Sequence, residues 1–268
     1  MAEAPEPMLR GRWAAVTGAS AGIGAATARA LAQAGMSLVL GARRHERLEA
    51  LARELTAAHD VAALPVALDV TDAGSVEAFA SAAEQAAGST GVHLLVNNAG
   101  LARGVVRIPA ATAADEAGWE EMLAVNVMGL LRVTRRFAQP MAARGSGHVI
   151  HLGSLAGIET YEGGSVYCAS KAAVRVISKA LRLELLGSGV RVTCINPGLV
   201  DETEFSLVRL GSEDKAAAVY AGIKPLNAGD VARAIAWVVG LPAHVNIEEL
   251  NLQPVDQASA QKIARRPP

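Results

Sequence analysis

Trp13-Ala-Ala-Val-Thr17 runs directly into Gly18-Ala-Ser20-Ala-Gly22-Ile23-Gly24, and 25–34 continues in residues that favour helix. A short apolar run, glycines in the spacing G-x-x-x-G-x-G, then a helical pattern read as strand, tight turn and helix. That order is the context a dinucleotide phosphate loop needs. Glycines let the backbone come close to a pyrophosphate, and the helix N-terminus faces it with unpaired N–H groups. The plain alternative is a strand-to-helix turn that binds nothing.

The second apolar run, 37–41, ends in Gly41-Ala42-Arg43-Arg44. An acid at about 20 residues beyond the glycines holds the ribose hydroxyls of NAD. Here two guanidinium groups stand instead. They suit a 2′-phosphate, which an acid would repel. Arg43 is the first candidate, with Ser20 and Arg44 assisting, and the cofactor expected is NADP(H). Two solvated arginines opening the next helix are the alternative.

A third stretch carries chemistry. Val149-Ile150-His151-Leu152 reads as a buried strand, Ser154 lies just past it, and Tyr167 and Lys171 follow four residues apart. On a helix, Tyr167 and Lys171 share a face one turn apart. A hydride arriving at a carbonyl carbon leaves charge on the oxygen, which needs a proton. A tyrosine with pKa near ~10 is a poor match to neutral pH, and a neighbouring ammonium lowers it. Ser154 is placed to hold the carbonyl oxygen. Alone, a Tyr-x-x-x-Lys pair is an ordinary buried tyrosine and surface lysine. The spaced serine and the glycine loop change that reading.

Alternating strand and helix patterns run through the remainder. Helices are expected over 45–57, 71–87, 115–143, 164–186 and 227–240, with Pro140 kinking or ending the third. Strands are expected over 61–68 (interrupted by Pro65), 92–96, 189–196 and 245–252. The stretch 201–226 is the least regular and reads as a mobile flap. The fold class expected is α/β: a single doubly wound domain with a mostly parallel seven-stranded sheet and helices on both faces. Residues 1–9 and 258–268 are expected as tails around one domain, 10–257.

Composition excludes several classes. The chain has 268 residues, a net charge of −1, 51% hydrophobic and 19% charged residues, so one globular domain fits and nucleic-acid binding does not. Two cysteines, Cys168 and Cys194, give neither metal spacing nor a disulfide framework. No charge-free run of about 20 apolar residues signals a membrane span. The acidic, proline-rich start is unlike a signal peptide, so the cytoplasm is the expected location.

Thr17-Gly-Ala-Ser-Ala-Gly-Ile-Gly24, Asn97-Asn98-Ala99-Gly100, Gly153-Ser-Leu-Ala-Gly157 and Tyr167-x-x-x-Lys171 together resemble the short-chain dehydrogenases/reductases, from about Gly11 to Gln257. The resemblance implies a Rossmann fold and carbonyl–alcohol interconversion. It implies that Asn126 completes a catalytic set with Ser154, Tyr167 and Lys171, holding a water that links Lys171 to solvent. Lys171 would also touch the nicotinamide ribose. Asp69 and Val70 would lie against the adenine, and Asn98, Ala99 and Gly100 beneath the cofactor. Pro197 and Gly198 would flank the nicotinamide, with Val200 and Thr203 contacting its carboxamide or the phosphates. It further implies a homotetramer.

Three stretches narrow the likeness: Gly41-Ala-Arg-Arg44, Pro197-Gly-Leu-Val-x-x-Thr-Glu-Phe-Ser206, and Leu241-Pro-Ala-His-Val-Asn-Ile247 with Gln253-Pro-Val-x-Gln257. They are similar to the NADP-dependent 3-hydroxy acid dehydrogenases. Departures sit around the substrate. Asp201-Glu202 replaces a glycine pair, and Glu159 and Glu162 fall between Ser154 and Tyr167. Such carboxylates disfavour an anionic substrate, whereas Arg103 or Arg209 would bind one. A reductase of bulkier aldehydes or ketones is the alternative function, and a non-catalytic NADP-binding sensor a further one.

Overall fold

The computed structural model describes residues 9–266. The expected N-terminal tail therefore lies outside the described residues except for Leu9, which is buried. The chain alternates β1 (Trp13–Thr17), α1 (Gly22–Gln33), β2 (Ser37–Ala42), α2 (His45–His59), β3 (Ala63–Ala67), α3 (Ala73–Ala87) and β4 (Val92–Asn97). Next come α4 (Ala113–Leu123), α5 (Leu130–Arg144), β5 (Gly147–Leu152), α6 (Ser165–Glu184) and β6 (Val190–Pro197). The short β7 (Val200–Asp201), α7 (Phe205–Leu210), α8 (Glu213–Tyr220) and β8 (Leu226–Asn227) precede α9 (Ala228–Val239) and β9 (Glu249–Leu252).

Seven strands pair in the order β3-β2-β1-β4-β5-β6-β9. Each pairing is parallel. A parallel sheet needs crossover helices on its faces, and both faces are covered. On one, Leu31, Leu51 and Ile235 bring α1, α2 and α9 onto the sheet. On the other, Phe79 and Phe137 join α3 and α5, their ring centroids 5.8 Å apart. Pro65 sits inside β3 without breaking it, because β3 is an edge strand and no neighbour needs its missing N–H.

Two expectations need correction. The long crossover helix is not interrupted at Pro140, which lies inside α5. It is interrupted at Ala124–Gly129, where the backbone takes a π turn around Asn126. Such turns are rare and concentrate at functional sites. There Asn126 is buried and both ends of its amide are drawn to Leu101. The stretch beyond Gln257 is also not a loose tail in its described part. Ala260 N–H donates to Glu159 at 2.9 Å, Ile263 bridges to Gln257, and Arg265 donates to the Val219 carbonyl at 3.0 Å. The flap contains two short helices, closed at its base by the β7–β8 pair.

Candidate active site

A cavity of about 690 Å³ opens at the carboxyl ends of the strands. Strand order reverses between β1 and β4, so the loops after them splay apart and leave a crevice. Gly18, Ser20, Gly22, Ile23, Arg43, Arg44, Asp69, Val70, Asn98, Ala99 and Gly100 line one part of it. Ser154, Tyr167, Lys171, Pro197, Gly198, Val200 and Thr203 also line it. Gly24 and Asn126 do not and stand behind its wall.

The glycine loop is shaped by close approach. Gly18 and Gly22 have φ of +66° and +53°, which side-chain-bearing residues rarely adopt. A Cβ on Gly24 would lie 2.3 Å from the Gly18 carbonyl oxygen, so α1 packs against the loop only without one. Asn98 Nδ2 donates to the Thr17 carbonyl at 2.9 Å, and the Asn98 and Ala99 N–H groups donate to Thr17 Oγ1 at 3.0 Å. The turn after β4 thus braces the loop after β1. No side chain caps the N-terminus of α1 and no acid sits in its first turn. Its N–H groups and dipole remain available to an anion.

Arg44 Nε donates to Ser20 Oγ at 3.2 Å, and Arg44 Nη1 pairs with Glu204 of the flap at 2.6 Å. Arg47 holds the other Glu204 oxygen at 2.7 Å. Arg43 has no ion-pair partner among the described residues and is exposed to the cavity. Asp69 accepts from Thr71 N–H and Oγ1 at 2.9 and 2.7 Å, which holds its carboxyl below the usual range. The cap of α3 is Asp72, not Asp69.

At the other end, α6 places Tyr167 and Lys171 one turn apart, both buried. Burial pushes the Tyr167 phenol up to about 12, and the Ser154 hydroxyl and the Arg209 guanidinium draw it back. Lys171 is not among the groups that shift it, contrary to expectation. Its ammonium donates to the Leu152 carbonyl at 2.8 Å, and burial lowers it to about 8. Ser154 follows β5 and accepts from Ala156 N–H at 3.1 Å. Asn126 links the elements behind: Oδ1 accepts from Leu101 N–H at 2.9 Å, and Nδ2 donates to Ser170 Oγ at 3.0 Å.

The pattern of a short chain dehydrogenase matches residues 12–209. The chain belongs to that family. The short-chain dehydrogenase is 42% identical over 246 residues to a serine 3-dehydrogenase of Agrobacterium fabrum, covering 91% of this chain and 94% of that protein. It is 43% identical to an NADP-dependent 3-hydroxy acid dehydrogenase of Salmonella typhi, covering 91% of this chain and 96% of that protein. Among solved structures, the closed form of a serine dehydrogenase complexed with NADP+ superposes with a TM-score of 0.85 at 40% identity. That match covers 95% of this chain and 100% of the other.

The acids that sequence reading set against an anionic substrate are turned elsewhere. Glu159 is spent on Ala260 N–H, Glu162 pairs with Arg107, and neither lines the cavity. Asp201 and Glu202 do not line it either. Sequence reading missed Tyr161 and Phe205, which stand beside Tyr167, and Gln257, whose Oε1 accepts from Leu199 N–H at 2.8 Å. For Gln257 the signal was present, since Gln253-Pro-Val-x-Gln257 already stood among the motifs. Phe205 likewise stood within Pro197-Gly-Leu-Val-x-x-Thr-Glu-Phe-Ser206, whereas Tyr161 lies in a segment of no regular pattern.

Proposed function

We propose that this short-chain dehydrogenase interconverts a hydroxyl and a carbonyl group on a small acid, with NADP(H) as its redox partner. The reading rests on one observation: Ser154, Tyr167 and Lys171 line the same cavity as the glycine loop and the unpaired Arg43. The residues present fit that cofactor. An uncapped helix N-terminus and glycines at positive φ suit a pyrophosphate, and a free guanidinium suits a 2′-phosphate. Gly18, Ser20, Ile23, Arg43, Val70, Asn98, Val200 and Thr203 would hold it. When bound, its nicotinamide supplies a hydride to a carbonyl carbon or takes one from a carbinol carbon.

The remaining work falls to the chain itself. Ser154 orients the carbonyl oxygen by a hydrogen bond. Tyr167, protonated at neutral pH as any tyrosine is and held so more firmly by burial, gives its proton to that oxygen. In the reverse direction Tyr167 takes the alcohol proton. Lys171, lowered towards neutrality by burial, exchanges protons with the site, and Asn126 fixes the wall behind it. The 3-hydroxy acid specificity carried by the relatives' names fits a cavity from which Glu159, Glu162, Asp201 and Glu202 are absent.

We further propose a homotetramer, supported by Val176, Leu183 and Leu186 along α6 and its end, which are 65%, 72% and 85% exposed. Light scattering giving a monomer would overturn it. For the activity, purified protein is assayed at the reduced-nicotinamide absorbance band with NADP+ and L-serine or 3-hydroxypropionate, and with NAD+ in parallel. Turnover preferring NADP+ is expected. Turnover with NAD+ alone would overturn the role of Arg43.

A further inference from the structure

Four buried polar side chains that the reaction does not use are joined end to end beneath the site. Asn97 closes β4, Thr134 lies on α5, His151 on β5 and Ser178 on α6, and His151 is shut off from solvent altogether. Asn97 Nδ2 donates to Thr134 Oγ1 at 2.9 Å. Thr134 Oγ1 meets His151 Nε2 at 3.0 Å, and His151 Nδ1 meets Ser178 Oγ at 2.9 Å. Ser178 Oγ in turn donates to the Val174 carbonyl at 2.7 Å. That last bond orients the rest. With its one proton committed to Val174, the Ser178 hydroxyl can only accept from His151, so Nδ1 carries a proton. Burial keeps the ring neutral, so Nε2 is bare and accepts the Thr134 proton. The Thr134 oxygen accepts from Asn97, and all the bonds run one way, from β4 to α6.

The chain ends on the face of α6 that carries the chemistry. Tyr167, Lys171, Val174 and Ser178 follow one another at intervals of one helical turn, so they share one face, and all are buried. Two attachments hold that face to β5. Lys171 Nζ reaches the Leu152 carbonyl, and Ser178, about two turns further on, takes the imidazole of the adjacent His151. They differ in kind. Lys171 lines the cavity, where cofactor and substrate compete for its ammonium, whereas His151 stands behind the wall and keeps its partners throughout. At its other end the chain starts from Asn97, which leads into the turn whose Asn98 and Ala99 N–H groups brace the glycine loop through Thr17. The same side chains therefore link the brace of the cofactor loop, the strand that delivers Ser154 and the helix that delivers Tyr167. A buried polar chain is costly when one member is left unpaired, and fully satisfied it holds its elements in a single arrangement.

We propose that His151 is a positioning residue for the reaction: bridging Thr134 and Ser178 as the Nδ1–H tautomer, it fixes α6 against β5 and so sets Tyr167 and Lys171 against Ser154. It touches neither cofactor nor substrate and acts only through the helix it holds. This inference rests on the functional reading above, which supplies the roles of Ser154, Tyr167 and Lys171.

The test compares wild type with His151→Leu, His151→Gln, Ser178→Ala and Thr134→Val, using NADP+ with L-serine or 3-hydroxypropionate. Fluorescence titration with NADPH counts the intact cofactor sites, and the measured quantity is kcat per site. In His151→Leu it is expected to fall about 100-fold, which a displacement of about 1 Å at the reacting groups suffices to cause, with NADPH affinity unchanged. His151→Gln, whose amide offers both a donor and an acceptor, should recover part of the loss. Ser178→Ala and Thr134→Val each cut one bond and should cost less. Adding Ser178→Ala to His151→Leu should cost little more, because the chain is already broken. An unchanged kcat per site in His151→Leu overturns the inference. So does a fall in NADPH affinity equal to the fall in turnover, or full additivity of the two substitutions. If His151→Leu does not fold, Ser178→Ala and Thr134→Val decide, and wild-type kcat per site in both overturns the inference. A wild type that turns over neither acid overturns the functional reading and the inference together.

Discussion

Glu204 grips Arg44 at 2.6 Å and Arg47 at 2.7 Å, joining the flap to the start of α2. The neighbouring Arg43 has no such partner. The two arginines are therefore unequal despite adjacent positions. Arg43→Ala is expected to weaken NADPH binding about 10- to 100-fold with little effect on NADH, as loss of a charge-assisted phosphate contact would. Arg44→Ala is expected to cost less, because its charge is already shared with Glu204. Fluorescence titration with both reduced nucleotides checks the order, and an equal loss for NADH would remove the 2′-phosphate assignment.

Tyr167 carries the clearest pH signature. With its phenol raised to about 12, the protonated form dominates near neutrality. Carbonyl reduction, which needs the acid, should hold steady around neutral pH, while alcohol oxidation, which needs the base, should keep climbing from neutrality towards about 12. Tyr167→Phe should lose roughly 10³-fold in turnover in both directions while still binding NADPH. A variant with substantial turnover would mean that another group moves the proton.

Gly24 lies outside the cavity yet shapes it. With a Cβ only 2.3 Å from the Gly18 oxygen, Gly24→Ala must push α1 away from the glycine loop. The expected outcome is loss of NADP(H) binding together with a lowered Tm, read by calorimetry. Normal affinity would show that the loop tolerates displacement.

Burial holds His151 down at about 3 and His148 well below its ordinary value. In the unfolded chain both titrate near ~6.5. The unfolded state therefore binds protons that the folded state refuses as pH falls. Stability is full above about 6.5 and declines through the window down towards 3, by about 2 kcal/mol for His151 at pH 5. Urea unfolding at pH 7, 6 and 5 should show this fall, and His151→Gln should flatten it. A wild-type curve independent of pH would contradict the buried neutral state.

Glu202 occupies the left-handed region with φ 59°, which glycine adopts far more readily. Glu202→Gly should relieve strain and raise flap stability by up to about 1 kcal/mol. Slower hydrogen exchange at α7 would register it.

Local pattern reached far into this molecule where one element answers to its own residues. Trp13–Thr17 forms as expected, because its apolar run and the glycines after it mark the strand locally, although its partners β2 and β4 lie further along the chain. The Asn227–Asp230 cap is likewise local, with both reciprocal hydrogen bonds made three residues apart. The long crossover helix was different. Pro140 is the local breaker, yet the interruption sits at Asn126, whose amide is recruited by Leu101 from another segment.

What the sequence by itself determined is the alternation of the sheet strands with their crossover helices, the glycine loop and the candidate set Ser154, Tyr167 and Lys171. Those depend on hydrophobic period and on short motifs read along the chain. Tertiary structure alone decided which charges face the cavity. Glu159 is taken by Ala260, 101 residues away, Arg103 is taken by Glu121, and Arg44 is taken by Glu204. Charge is a property of a residue, but its availability depends on a partner whose distance in sequence is unconstrained. Among the described residues, Arg43 and Arg209 stand out as cavity arginines without a carboxylate partner only after Arg44 and Arg103 have been paired.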